Sequence, residues 1–203
     1  MGKRKANTAQ LELFDIPKVV TTTLYEYLII ITPSDEITRY VKKMNAEVNK
    51  VLGNEIKDPP FKAHITLVYY KGPLNMDELF MTAVNELAAQ TKCFTVKING
   101  FDYFEDNPDS NTVFLSIENK KDVAQIHEFL ISRTQLPIHD FTPHISIKRH
   151  VKSGRTPIVK EFLGKIDYHT EFLCDRVSIL KREIVGKKKI SYVTIYEAPF
   201  LPA

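Results

Sequence analysis

Apolar and polar residues follow one another along this chain in two rhythms, and the points where the rhythm changes mark out its elements. Leu24 to Ile31 is rich in Tyr and Ile, the composition of a largely buried strand, and Thr32-Pro33-Ser34 stops it. Ser34 then reads as an N-cap with Asp35 and Glu36 in the first turn. Ile37, Tyr40, Val41, Met44, Val48 and Val51 recur at helical spacing up to Gly53. A loop with Asp58-Pro59-Pro60 leads to a strand around His64-Ile65-Thr66-Leu67. After Gly72-Pro73 a helix is expected over about 76–90, with Leu79, Phe80, Ala83, Val84 and Leu87 on its apolar side. Phe94 to Phe101 and Val113 to Ile117 read as strands separated by the turn residues Asn107-Pro108-Asp109-Ser110-Asn111. A helix over about 121–133 and a strand around His144-Ile145-Ser146-Ile147 come next. Then follow the loop Lys152-Ser153-Gly154-Arg155 and a short helix near 158–163. Two closing strands, Phe172 to Leu180 and Ile190 to Tyr196, are joined by the basic hairpin tip Gly186-Lys187-Lys188-Lys189.

The order strand, helix, loop, histidine strand therefore occurs twice, as a repeat of pattern rather than of wording. The reading is an α+β, bilobal, pseudo-duplicated fold: two small, mainly antiparallel sheets face a central cleft, with helices packed outside. Residues 1–22 show no sustained period and read as a tail, with Lys3, Arg4 and Lys5 as solubilising charge; residues 23–203 read as one bilobal domain.

Within each histidine strand the alternation puts the imidazole and a hydroxyl two residues apart on one face, His64 with Thr66 and His144 with Ser146. Two such strands facing each other would supply two titratable groups and two hydrogen-bond donors, which suits acid-base chemistry on a phosphate ester. One neutral imidazole would take the proton of the attacking hydroxyl, and the other, protonated, would give a proton to the leaving oxygen. The hydroxyls would donate to the nonbridging oxygens as charge builds there. This chemistry requires no metal, and no metal or other cofactor is expected. The residues do not say which histidine is the acid.

The two motifs resemble those of the two-histidine (2H) phosphoesterase superfamily, in particular its LigT-like 2′-5′ RNA ligase and cyclic phosphodiesterase branch. The signature there is a paired His-x-Thr/Ser-x. The second copy, Phe141-Thr142-Pro143-His144-Ile145-Ser146-Ile147-Lys148-Arg149, matches at greater length, keeping a Phe-x-Pro lead-in and an arginine five residues after the histidine. The first copy keeps the core but has one more residue before Gly72 than the usual form. The resemblance covers about residues 24–198. It implies His64 and His144 as the catalytic pair, Thr66 and Ser146 as phosphate-binding residues, and Arg149 as a further phosphate ligand. Arg149 sets resemblance against alternation, because an odd offset from His144 faces away from the cleft in an uninterrupted strand. The implied activity is on RNA ends, opening a 2′,3′-cyclic phosphate to a 2′-phosphate or making and breaking 2′-5′ linkages. A small cyclic nucleotide as substrate and a non-catalytic RNA-end-binding module are the rival readings.

Composition narrows the remaining choices. Lys and Arg number 28 against 25 Asp and Glu, so a net charge of +3 permits a nucleic-acid ligand without requiring one. Lys148, Arg149, Lys152, Arg155, Lys181, Arg182 and Lys187 to Lys189 are candidates for an RNA path, and Tyr69, Tyr70 and Tyr192 for base stacking. His127, His139, His150 and His169 read as structural or surface residues. Cys93 and Cys174 sit in apolar runs without metal-ligand spacing and read as buried free thiols. No apolar run is long enough to cross a bilayer and no apolar segment backs the basic N-terminus, so a cytoplasmic protein is expected; a monomer is the working expectation, although the sequence does not decide it.

Overall fold

The computed structural model describes residues 23–54, 62–185 and 188–203. The tail, the Asp58-Pro59-Pro60 loop and the hairpin tip at Gly186-Lys187 lie outside them. The chain runs β1 (Leu24–Ile31), α1 (Asp35–Val51), β2 (Ile65–Gly72), α2 (Asp77–Ala88), β3 (Phe94–Asn107) and β4 (Ser110–Ile117). It continues through α3 (Lys120–Thr134), β5 (His144–Lys152), a short 3-10 turn, α4 (Thr156–Leu163), β6 (His169–Cys174), β7 (Arg176–Val185), β8 (Lys188–Lys189) and β9 (Val193–Pro199).

Two antiparallel sheets result. The first has the order β2-β1-β7, with β8 and β9 both pairing on β7; the second has the order β5-β4-β3-β6. In each unit, β1-α1-β2 and β4-α3-β5, the histidine strand pairs beside the first strand and becomes the sheet edge. These two edge strands approach one another, so the sheets meet at β2 and β5 and the cleft opens over that seam.

Apolar periodicity, capping and turn chemistry place the helices within about two residues of expectation. Ser34 accepts from the Ile37 amide at 3.3 Å, and Ile37, Val41, Met44 and Val48 form the buried face of α1. The helices do not simply cover their own halves. Among the described residues α1 packs on β5 of the second sheet and α3 on β2 of the first, and the buried residues of both halves join in one core.

The expected strand from Phe172 to Leu180 is two strands. It breaks at Asp175, where the chain passes from β6 at the edge of the second sheet to β7 inside the first. Two polar residues between apolar runs, Asp175 and Arg176, read as a minor lapse in one strand, while the crossing needs only Asp175 between the two elements. The strand expected to end at Phe101 instead runs on to Asn107, with a bulge at Gly100, whose φ of +66° suits glycine.

Tyr27 fixes the start of α2. That helix has no side-chain cap of its own; the buried Tyr27 hydroxyl accepts from the Met76 amide at 3.1 Å and donates to Asp77 Oδ1 at 2.6 Å. Tyr27→Phe is expected to lower unfolding free energy by about 1–2 kcal/mol in denaturant melts, because it leaves the Met76 amide without its acceptor. A change below about 0.3 kcal/mol would sink this capping role.

Candidate active site

His64 immediately precedes β2 and His144 begins β5, so the two imidazoles stand at matching points of the two edge strands. His64 Nδ1 donates to the carbonyl of Lys62 and His144 Nδ1 to that of Thr142, each at 2.7 Å. A carbonyl only accepts, so Nδ1 carries the hydrogen in both rings, and Nε2 of each neutral imidazole keeps its lone pair. His64, Thr66, His144, Ser146 and Arg149, the five residues selected from sequence, line a single cleft of about 210 Å³.

Backbone irregularities explain how Arg149 reaches that cleft. Phe114 pairs with Ser146 and Val113 with Lys148, so β5 carries an extra residue at Ile147-Lys148. Ile147 and Lys148 are consecutively buried, and Arg149 returns to the cleft face. The bulge reverses the parity that alternation alone would assign. A second shift follows, with His150 at φ +58°. The first motif strand has the same device. Ile30 pairs with Thr66 and Ile29 with Val68, Leu67 and Val68 are both buried, and Tyr69 is the exposed residue. Tyr69 therefore occupies in β2 the position that Arg149 occupies in β5, five residues after the histidine.

Three further residues line the cleft that sequence reasoning did not select: Phe104 and Asp106 on β3 and Thr112 on β4. They belong to the hairpin whose polar composition read as the approach to a turn. The alternation Asp102, Phe104, Asp106 was the available signal. Thr112 Oγ1 donates to Asp106 Oδ1 at 2.7 Å, which fixes the carboxylate at the cleft wall. Phe104 meets the His144 ring edge-on at 5.0 Å, and Phe114 lies 5.0 Å from it on another side. The two phenyl rings and the Nδ1 bond leave the His144 imidazole one orientation.

Burial holds both imidazoles below the ordinary histidine range; the Nδ1 bonds oppose that shift, and the Arg149 guanidinium reinforces it. Two smaller influences differ between the rings. His144 feels the Asp106 carboxylate, which favours its cation, whereas His64 feels His144, which disfavours its own. The Asp106 carboxylate thus favours the cationic form of His144.

The other sequence candidates scatter. Tyr70 packs on Tyr27 and Phe80, away from the cleft. Tyr192 is half-buried, donates to Glu26 at 3.0 Å and lies under the Arg182 guanidinium. Lys148 is 1% exposed and Lys181 pairs with Asp77 at 2.7 Å, so neither belongs to an open basic path. The bulge puts Lys148 inside; sequence alternation could not foresee it. Lys187 lies outside the described residues. His127 bonds to β2 and His169 pairs with Asp167, while His139 and His150 are exposed. Cys93 and Cys174 are free, and burial pushes the Cys174 thiol up to about 12. Among the described residues no group of three or more His, Cys, Asp and Glu is placed to hold a metal, and no helix is long and apolar enough to cross a membrane.

Known proteins repeat this architecture. The Thermus thermophilus protein TT0787 superposes with a TM-score of 0.61 at 16% identity, over 86% of this chain and 97% of that one. E. coli LigT in its apo form gives 0.61 at 12% identity, over 88% of this chain and 98% of LigT. LigT complexed with 3′-AMP gives 0.54 at 13%, over 87% and 98%. At these identities the likeness concerns the fold. A search of curated protein sequences found no match. A family model described as the 2′-5′ RNA ligase superfamily matches residues 33–185, a span that holds both histidine strands and the cleft-lining hairpin. On that match the chain belongs to the 2′-5′ RNA ligase superfamily.

Proposed function

We propose that this protein is a metal-independent phosphoesterase of RNA ends that opens 2′,3′-cyclic phosphates to 2′-phosphates, with 2′-5′ ligation as the reverse of 2′-5′ cleavage. One observation carries the reading: two imidazoles in the same tautomer present Nε2 to one small cleft that also holds two hydroxyls and a guanidinium. His64, as base, takes a proton from water; the water oxygen bonds to phosphorus; the bond from phosphorus to O3′ breaks, and His144, as acid, gives O3′ its proton. Thr66 and Ser146 donate to the nonbridging oxygens and Arg149 neutralises the phosphate. The Asp106 carboxylate beside His144 supports this assignment of roles. E. coli LigT, which shares the fold, is known in complex with 3′-AMP, in keeping with a nucleotide phosphate as ligand.

An RNA substrate rather than a mononucleotide is favoured by what lies beyond Thr66 on the same face of the first sheet. Tyr69 is 55% exposed there, next to Lys71, which lies near the buried Glu26 carboxylate that also pairs with Arg182. An exposed ring suits a stacked base of a longer chain. The direct test is turnover, with chelator present, of adenosine 2′,3′-cyclic phosphate and of a short RNA ending in the same group. Formation of the 2′-phosphate is expected, with Tyr69→Ala raising KM for the RNA by about 10-fold and leaving the mononucleotide within about twofold. Absence of product from both substrates would overturn the reading.

The depressed imidazoles also set the pH dependence. Free enzyme needs one cationic and one neutral ring, and both rings ionise below about 6.5. As pH rises above that range the cation is lost, so kcat/KM is expected to fall on its alkaline limb with an apparent pKa under about 6.5. Bound phosphate favours the imidazolium, so the alkaline limb of kcat should lie at higher pH than that of kcat/KM. Asp106→Asn should move the kcat/KM limb further down. Initial rates across about pH 5–9 check the order of the three limbs; an upward move in the asparagine variant would refute the acid assignment.

A further inference from the structure

At each of the two bulges one backbone carbonyl is hydrogen-bonded by a side chain from the other half of the fold. Asn45, on α1, donates from Nδ2 to the Ile147 carbonyl at 2.6 Å. His127, on α3, donates from Nδ1 to the Leu67 carbonyl at 2.7 Å. Ile147 and Leu67 are equivalent residues, each third after its histidine and each the first member of its bulge. The contacts therefore match under the pseudo-repeat, and they run crosswise. The helix that precedes the first motif holds the second motif strand, and the helix that precedes the second motif holds the first. His127 does more: its ring stacks on Phe141 at 4.0 Å, three residues before His144, so it touches both motifs.

We infer that Asn45 and His127 are positioning residues that pin the two bulges, and so set the aim of Tyr69 in one strand and of Arg149 in the other and the separation of the two strands. The inference rests on the phosphoesterase reading only for its kinetic arm. A bulge is the point at which a strand's register and side-chain parity are decided, and a one-residue slip would turn Arg149 out of the cleft and Tyr69 off its exposed face. A carbonyl of a buried edge-strand residue needs a donor, and a donor from the opposite half also fixes the distance between the two strands. Asparagine Nδ2 and histidine Nδ1 stand at the same remove from the backbone. The molecule thus uses two residue types for one bond, and His127→Asn has a precedent within the chain itself.

The experiment compares Asn45→Asp, which keeps shape but replaces the donating amide with an acceptor, with His127→Ala and with the donor-retaining His127→Asn. Two-bond proton–nitrogen spectra of the imidazoles in the free proteins report tautomer and environment at His64 and His144, and inorganic phosphate is titrated into each. A crossed pattern is expected: His127→Ala moves the His64 resonances most, and Asn45→Asp moves those of His144 most. Kinetically, kcat on the cyclic phosphate should fall about 10- to 100-fold in both as the strands shift, KM for it should rise about 10-fold in Asn45→Asp through Arg149, KM for the RNA should rise by a similar factor in His127→Ala through Tyr69, and His127→Asn should recover most of the loss. If each substitution instead perturbs both histidines equally, or lowers the melting temperature with kcat intact at low temperature, the residues are ordinary packing and the inference fails. Should the unmodified protein turn over neither cyclic phosphate, the phosphoesterase reading fails alone, and the crossed pattern in the imidazole spectra still decides this inference.

Discussion

His144→Ala is expected to lower kcat on a 2′,3′-cyclic phosphate by about 10²- to 10⁴-fold, and His64→Ala by a similar factor. The two losses should look alike on the natural substrate and part on an activated one. An acid matters in proportion to how poorly the leaving oxygen departs. With a nitrophenyl phosphodiester, whose leaving group needs no proton, His144→Ala should recover to within about 10-fold of the unmodified protein, and His64→Ala should not, because water still has to lose its proton. The double variant should be little worse than either single one, since a base without its acid completes no turnover. Steady-state rates on the two substrates decide the matter. If the recovery appears in the His64 variant instead, the roles are exchanged; if both variants keep near-normal rates on the cyclic phosphate, neither imidazole is catalytic. The environment of each ring is what makes the assignment testable: the Asp106 carboxylate favours the cation of His144, and Phe104 meets that ring edge-on.

How much of this was visible in the sequence depends on how local its cause is. Helix α1 was legible because Ser34, the acidic first turn and five buried positions at helical spacing all lie within one segment. The pair of histidines was legible because His-x-Thr and His-x-Ser repeat in matching surroundings. Bulges are different, since they are a property of two strands and not of one. Leu67-Val68 shows the doublet of apolar residues that a bulge buries, but in Ile147-Lys148 the second member is a lysine, and so Lys148 read as an exposed cation. Arg149, its neighbour, read as pointing the wrong way for the same reason. Asp106 and Thr112 escaped because polar residues near Asn107-Pro108 resemble a turn, although the hairpin continues far enough to wall the cleft. The exchange of helices between halves, which brings Asn45 and His127 onto the opposite strands, depends on packing at long range and has no short-range signature.

Ser146→Ala and Thr66→Val are each expected to cost about 10²- to 10³-fold in kcat, the second largest effect after the histidines, with KM nearly unchanged. The reason lies in when the charge appears. A cyclic phosphodiester carries one negative charge before reaction, and a further share moves onto its nonbridging oxygens as water attacks; a donor fixed where that charge develops strengthens its bond at the transition state more than in the ground state. Both hydroxyls are held two residues from an imidazole on strands whose parity the bulges reset only after them, so His64 with Thr66 and His144 with Ser146 keep their facing by simple alternation. Arg149 should behave otherwise. Its guanidinium meets charge already present in the ground state, so Arg149→Leu should raise KM by about 10-fold, flatten the dependence of KM on salt, and change kcat less than either hydroxyl variant does. It should also release both histidines from a neighbouring cation, which moves the alkaline limb of kcat/KM to higher pH. Kinetics of the three variants at two salt concentrations separate these roles. A hydroxyl variant that raises KM while sparing kcat would mean that Thr66 or Ser146 holds the substrate rather than its transition state, and the chemistry would then rest on the imidazoles and Arg149 alone.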